Sequence, residues 1–336
     1  MALERATSDL GAAQLHRDLI ALGGAGVAVV ELDRPSADDS FAPGVVRIGA
    51  HRSGALPTQG LGPFDILLTS EPSARRPWVS VADVDAALAR LADRIARQPV
   101  AATTAAQVLR MTLALGFDEA LALESIAYSM LLASEGFRAW RAATPPRQRA
   151  ADDSPRVAID ADDREIRLRL TRPSQRNAFD ARMRDELADA LGFAAAHPDA
   201  LPVTLSGDGP SFSAGGDLDE FGSAADVGWA HMVRNLRAPA RAVNDLGVRI
   251  TARVHGACVG AGIEVSAAAA RVVAAPGAVF RLPEVSMGLI PGAGGTASIP
   301  RRVGRQRACY MAIMGDDIDL ETALAWGLVD AVEAGP

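Results

Sequence analysis

Apolar residues first come in short runs. "GVAVVEL" (26–32), "GVVRIGA" (44–50) and "FDILLTS" (64–70) are separated by Gly, Pro and Ser, the punctuation expected between β-strands. The period then changes. Val84, Leu88, Leu91 and Ile95 fall at helical spacing, and Gln98-Pro99 ends that run. A second helical pattern, "DEALALESIAYSMLLASEGFRAW" (118–140), carries Leu121, Ser125, Tyr128, Leu132, Phe137 and Trp140. It is apolar over more than one face, which predicts burial or a partner.

The stretch "PPRQRAADDSP" (145–155) is polar, charged and flanked by proline, and it divides the chain into residues 1–150 and 151–336. After it the pattern changes again. "REIRLRLTR" alternates like a half-buried strand, and "DARMRDELADALGFAAA" is a helix with Asp180 as its N-cap. "LPVTLSG" and "VRITARVHGA" read as strands, residues 225–245 as one helix, and "DLETALAWGLVDAV" as a helix then a strand. Strand, loop and helix recur at regular spacing, which predicts an α/β fold of repeated units.

Composition narrows the picture. With 336 residues the chain makes one large domain or two ordinary ones. Aromatics are only 4%, so aliphatic residues and alanine must fill the core. A net charge of -7 argues against a nucleic-acid partner. All 34 cationic side chains are Arg, with no Lys, so any phosphate must be held by Arg or by backbone N–H groups. Cys258 and Cys309 form no CxxC, which gives neither a disulfide framework nor a zinc site and fits a reducing cytosol. "MALERATSDL" lacks the charged-then-apolar pattern of a signal peptide, and the apolar runs are too short to span a bilayer. The expected setting is cytoplasmic, away from membranes.

Chemistry concentrates in two glycine-rich loops. "SFSAGGDLDEFG" (211–222) contains Ala214-Gly215-Gly216, and "VGAGIE" (259–264) opens an alanine-rich segment. Either alone reads as a tight turn in which glycine relieves strain. Together, two backbone N–H groups converging on one point would make an oxyanion hole. Glu264 and Glu284 sit among aliphatic neighbours, each as an ion-pair partner or as a proton-transfer group with a raised pKa. Two carboxylates beside an oxyanion hole suit addition or removal of water across a double bond. "GAGIEV" is not a dinucleotide fingerprint, because Val265 stands where the last glycine belongs. His255 reads as a packed histidine and Cys258 as a small buried filler.

Five stretches carry a resemblance: "LTRPSQRNAFD", "SGDGPSFSAGGDLDEF", "VHGACVGAGIEVSAAAARVVAA", "LPEVSMGLIPGAGGTASIPRRVGRQRA" and "ALAWGLVDAV". In order and spacing, residues 165–333 resemble the crotonase superfamily, the enoyl-CoA hydratase/isomerase family. The resemblance implies a superhelical core of repeated ββα units with a packed α-helical region. It implies an acyl-CoA thioester as substrate, with no further cofactor and no metal, and a homo-oligomer, trimer or hexamer. Gly216 and Ala261 would give the oxyanion N–H groups, Ala261 standing where glycine is commoner. Glu264 would help activate water, and Glu284 would exchange the proton at the carbon next to the thioester. Asn177-Ala178, Ala214, Gly215, Asp217 and Leu218 match stretches that line the CoA pocket.

The implied activity is syn hydration of a 2-enoyl-CoA or its reverse. The alternatives are double-bond isomerisation and a non-catalytic acyl-CoA-binding protein. The helices before the linker resemble the run that follows the "GLVD" strand in the family, including its closing turn at Ser134 to Phe137. The expectation is a rearranged order, with the N-terminal helices filling that place in their own subunit or a neighbour's. They and helix 225–245, with Trp229, His231 and Met232, would wall the acyl pocket.

Overall fold

The computed structural model describes residues 26–33, 44–149 and 152–334. The stretch read for a signal peptide, and Ala150 and Ala151 of the linker, lie outside the described residues. Strands β1 (Val27–Glu31), β2 (Val46–His51), β3 (Ile66–Thr69) and β4 (Val79–Ser80) pair in parallel in that order. Nearly all of β2 and β3 is buried, so they are written as continuous apolar runs without alternation.

Helix α1 (Val84–Arg97) starts where the Asp83 side chain accepts a hydrogen bond from Ala86 N at 2.9 Å, and it buries Val84, Ala87, Leu91 and Ile95. Pro99 ends α1 but also begins α2 (Pro99–Thr112), because a first-turn position needs no intrahelical N–H. The pattern over 118–140 forms two helices, α3 (Phe117–Leu132) and α4 (Glu135–Ala143). The Ser134 hydroxyl accepts from Phe137 N at 3.2 Å and so caps a new start.

Beyond the linker, β5 (Val157–Ala161) and β6 (Ile166–Leu170) form an antiparallel pair. β7 (Val203–Gly207), β8 (Ile250–Val254), β10 (Arg271–Ala274) and β12 (Ala331–Val332) extend it in parallel into a six-stranded sheet, β12-β10-β8-β7-β6-β5. β9 (Ala257–Val259) pairs with β11 (Val279–Arg281) in a separate two-stranded ladder. β5 was not anticipated: it is an edge strand, mostly exposed and carrying Asp160, so it shows no apolar alternation.

Helix α5 (Ala181–Ala196) begins as expected, with the Asp180 carboxylate accepting from Met183 N at 2.7 Å. The single helix expected over 225–245 is two, α6 (Val227–Leu236) and α7 (Pro239–Leu246). Ala238 takes an extended conformation, as the residue before a proline tends to, and the chain turns there. Short α8 (Ala261–Ser266), α9 (Gly295–Val303), α10 (Arg305–Met314) and α11 (Leu320–Trp326) complete the layer.

One hydrophobic core runs across the linker, holding Leu109, Leu131 and Phe137 with Val285, Ile290 and Val303. Polar contacts stitch the same boundary within the one chain. Thr112 Oγ1 donates to Thr296 O at 2.7 Å, and the buried Arg307 guanidinium donates to Trp78 O at 2.9 Å and Ala74 O at 2.8 Å. Among the described residues no helix is long and apolar enough to cross a membrane.

Candidate active site

The two glycine loops lie side by side. Ser213 N donates to Ala257 O at 3.3 Å and Val259 N to Ser213 O at 3.0 Å, which zips the loop after β7 to β9. At Gly215, with φ +92°, an added Cβ would stand 2.8 Å from Val259 O. The loops can therefore meet only where a side chain is missing. Neither Gly216 N nor Ala261 N donates a hydrogen bond to another described residue, and both residues border a cavity of about 570 Å³. Ala261 is also the first residue of α8, so its N–H points away from the helix body.

Glu264 and Glu284 border the same cavity and are both buried. A Cβ at Gly260, whose φ is +48°, would collide with Glu284 Oε1 and lie 3.7 Å from Glu264 Oε1. The two carboxyl groups thus face one point beside the Ala261 amide. Glu264 Oε2 is fixed by Ala293 N at 2.7 Å and Gly295 N at 2.9 Å, leaving its other oxygen toward Glu284. Glu284 Oε2 is buried with no hydrogen-bond partner among the described residues.

Burial raises both acids, and for Glu284 the Glu264 charge adds to it. Glu264 is lifted by burial to about 7, against the pull of backbone hydrogen bonds from Ala293 and Gly295. Glu284 lies well above the usual carboxylate range, through burial first and the Glu264 charge second. Neighbouring acids held in unequal surroundings divide into one that ionises first and one that keeps its proton.

A third carboxylate comes from before the linker. Glu124 on α3 is buried; it accepts from Gly294 N at 2.7 Å, Thr296 N at 2.7 Å and Thr296 Oγ1 at 2.8 Å. Successive N–H groups at the start of α9 thus alternate between Glu264 and Glu124. Burial and the Glu264 charge raise Glu124 to about 8, against the Thr296 and Gly294 hydrogen bonds. Sequence reasoning passed over Glu124, because a glutamate inside a helix ordinarily marks a solvated face. The one available signal was the apolar excess all round α3.

The remaining positions divide. Of the substrate-side residues, Asp217 borders the cavity, while Ala178, Ala214, Gly215 and Leu218 do not. The Asp217 carboxylate is held by Arg172 at 2.8 Å and Arg149 at 3.0 Å. Ala178 O accepts from Arg172, Ala214 N donates to Arg176 O, and Leu218 O accepts from Arg141, so these groups build the loop itself. Asn177 is fully buried and braces the turn, its amide donating to Asp208 O and Ser211 O.

Trp229 borders the cavity, whereas His231 and Met232 do not. His255 is half-buried, its Nε2 2.8 Å from Gly209 O. Cys258 is buried, and burial pushes its thiol far above the ordinary range, so it holds no thiolate. Among the described residues no cluster of His, Cys, Asp and Glu could hold a metal ion.

Residues 165–335 match the family model described as enoyl-CoA hydratase/isomerase. The mevalonyl-coenzyme A hydratase of Beauveria bassiana is 35% identical over 171 residues, 48% of this chain and 61% of that protein. A probable enoyl-CoA hydratase of Rhodobacter capsulatus is 37% identical, over 48% of this chain and 62% of its own length. The chain thus spans about three fifths of these curated relatives. Among solved structures, an enoyl-CoA hydratase from Mycobacterium smegmatis superposes with a TM-score of 0.50 and 30% identity, covering 54% of this chain and 71% of that one. The chain belongs to the enoyl-CoA hydratase/isomerase family, in the crotonase superfamily. Its α/β fold, rich in parallel strands, is the one the sequence implied.

Proposed function

We propose that this chain adds water to, or removes it from, a 2-enoyl-CoA thioester. The observation that carries the reading is the convergence of two buried glutamates on one point beside two uncommitted backbone amides. In this reading the thioester oxygen sits between Gly216 N and Ala261 N. These donors stabilise the negative charge that develops as the enolate forms. Glu264, the more easily ionised acid, takes a proton from water. Glu284, held protonated by burial, delivers one to the carbon next to the thioester. Both glutamates reach the same face of the substrate, which gives syn addition.

The alanine at 261 keeps the working N–H and narrows the space around it. Residues 151–336 supply this chemistry, and the region before the linker supplies the acyl-pocket wall through Leu121, Glu124, Ser125 and Tyr128. Asp217, with Ala178, Ala214, Gly215 and Leu218, shapes the thioester-side loop. No further cofactor enters the scheme, and a trimer or hexamer in the cytoplasm is the setting we infer.

The test follows loss of enone absorbance on a short 2-enoyl-CoA for wild type, Glu264→Gln and Glu284→Gln. Both variants should lose activity on the order of a hundredfold or more, the scale of removing an acid–base group. Loss in only one of them would favour a double-bond isomerase with a single proton shuttle. Binding without turnover by wild type would favour an isomerase of unusual substrate or a non-catalytic acyl-CoA-binding protein.

A further inference from the structure

Three arginines border the cavity, and they differ in what compensates their charge. Arg184 pairs with Asp185 at 2.8 Å, and Arg237 pairs with Asp189. Arg234 on α6 has no carboxylate at ion-pair distance among the described residues. Its Nε donates to Ser125 Oγ at 3.0 Å and its Nη2 to Ser129 Oγ, both neutral acceptors on α3. Its Nη1 donates to no described residue. The guanidinium carbon lies over the Tyr128 ring, 5.0 Å from its centroid, a cation–π placement. Burial pulls its pKa below the ordinary value, with the Glu124 charge opposing that shift and Arg184 adding to it.

The position of this cation sets what could meet it. Along one wall, Glu264 is held by Ala293 N, and the neighbouring Gly292 packs against the Tyr128 ring. Arg234 lies on that ring. A run of contacts thus leads from Glu264 through Ala293, Gly292 and the Tyr128 ring to Arg234, all on the lining of one cavity, and in the acyl-CoA reading a short acyl chain runs from the glutamates toward it. An apolar chain end would leave the guanidinium desolvated and unpaired, which is costly, whereas a carboxylate accepts from its free edge.

We propose that Arg234 selects acyl-CoA thioesters whose short chain ends in a carboxylate. This rests on the acyl-CoA reading above and names the class of acyl group within it. Ser125, Ser129 and Tyr128 hold the guanidinium in place, so the region before the linker takes part in selecting the substrate.

The experiment compares calorimetric affinities of adipoyl-CoA and hexanoyl-CoA, which have equal chain length and differ in the terminal group. Wild type should bind adipoyl-CoA at least roughly tenfold more tightly, the scale of a charge-assisted hydrogen bond. Arg234→Gln should lose that preference and bind hexanoyl-CoA as wild type does. Equal or weaker binding of adipoyl-CoA by wild type overturns the proposal, and this readout needs no folded variant. An equal loss for both ligands in Arg234→Gln also overturns it, leaving Arg234 as a tie between α3 and α6. Turnover of the corresponding 2-enoyl-CoA pair is scored separately. Preference without turnover keeps the selection and removes the hydratase, and turnover of hex-2-enoyl-CoA without preference does the reverse.

Discussion

Glu264 and Glu124 hold the same helix start, yet they come from regions built on different principles. Glu264 arrives four residues after Gly260, on a backbone bent through a positive φ to bring two loops together. Glu124 arrives from the middle of a regular sixteen-residue helix with no unusual backbone. The core makes its site from strained, close-packed main chain. The region before the linker contributes ordinary helices whose side chains close the cavity. A site of this kind can change its wall, and with it its substrate, without disturbing the backbone amides that would do the chemistry.

The strongest way to break the comparison is to remove one side of it. A fragment of residues 151–336 should be insoluble or unfolded, because the apolar face that Leu109, Leu131 and Phe137 cover would meet water. A soluble fragment with native circular dichroism would make the two regions independent. Next in size is Glu124→Ala, which leaves the Gly294 and Thr296 donors unpaired in a buried place. It should cost about 3 kcal/mol in urea unfolding, with activity falling as Glu264 loses its register. Glu124→Gln keeps the shape and should cost less.

The pH dependence sharpens the comparison further. Glu264 has its pKa raised on folding from 4.5 to about 7, and Glu284 and Glu124 are raised as well. The folded state therefore holds protons that the unfolded chain gives up. The stability this confers is complete below about pH 4.5 and is lost as pH rises through about 7 for Glu264 and about 8 for Glu124. Urea midpoints should fall between pH 5 and pH 8, with Glu264 alone contributing roughly 2 to 3 kcal/mol of lost stability, and Glu264→Gln should make that slope shallower while Glu124 and Glu284 keep the rest. The smallest effect belongs to Arg149→Ala at the linker. Arg149 joins Asp217 at 3.0 Å and Asp219 at 2.6 Å while still partly exposed. The cost should stay under about 1 kcal/mol and shrink in high salt.

These differences follow what a sequence can carry. Gly215 and Gly260 were legible because only glycine suits their φ and their crowding, and that requirement is local. Glu264 and Glu284 stood out as acids among aliphatic neighbours. The N-cap Asp180 was legible for the same local reason. Glu124 was not, since its burial depends on Gly294 and Thr296, which lie 170 and 172 residues away. Arg234 was hidden among 34 arginines, because a missing ion pair is a property of the fold alone. The breaks at Ser134 and Pro239 were written in the sequence as a capping residue and a proline, though strong apolar periodicity on both sides of each masked them. Pro99 was ambiguous in principle, since the residue that closes one helix can open the next.

The long reach from Glu124 to Thr296 also bears on how the chain is made. A ribosome adding roughly 5 to 20 residues per second needs on the order of ten to thirty seconds to travel that distance. Through that interval α3 has left the exit tunnel while the residues that cover it do not yet exist. Its apolar faces and its carboxylate wait for a partner, so the nascent chain must be sheltered or must hold this helix in a provisional packing until α9 emerges. A faster or slower stretch of translation between the two would alter yield without changing one atom of the finished protein.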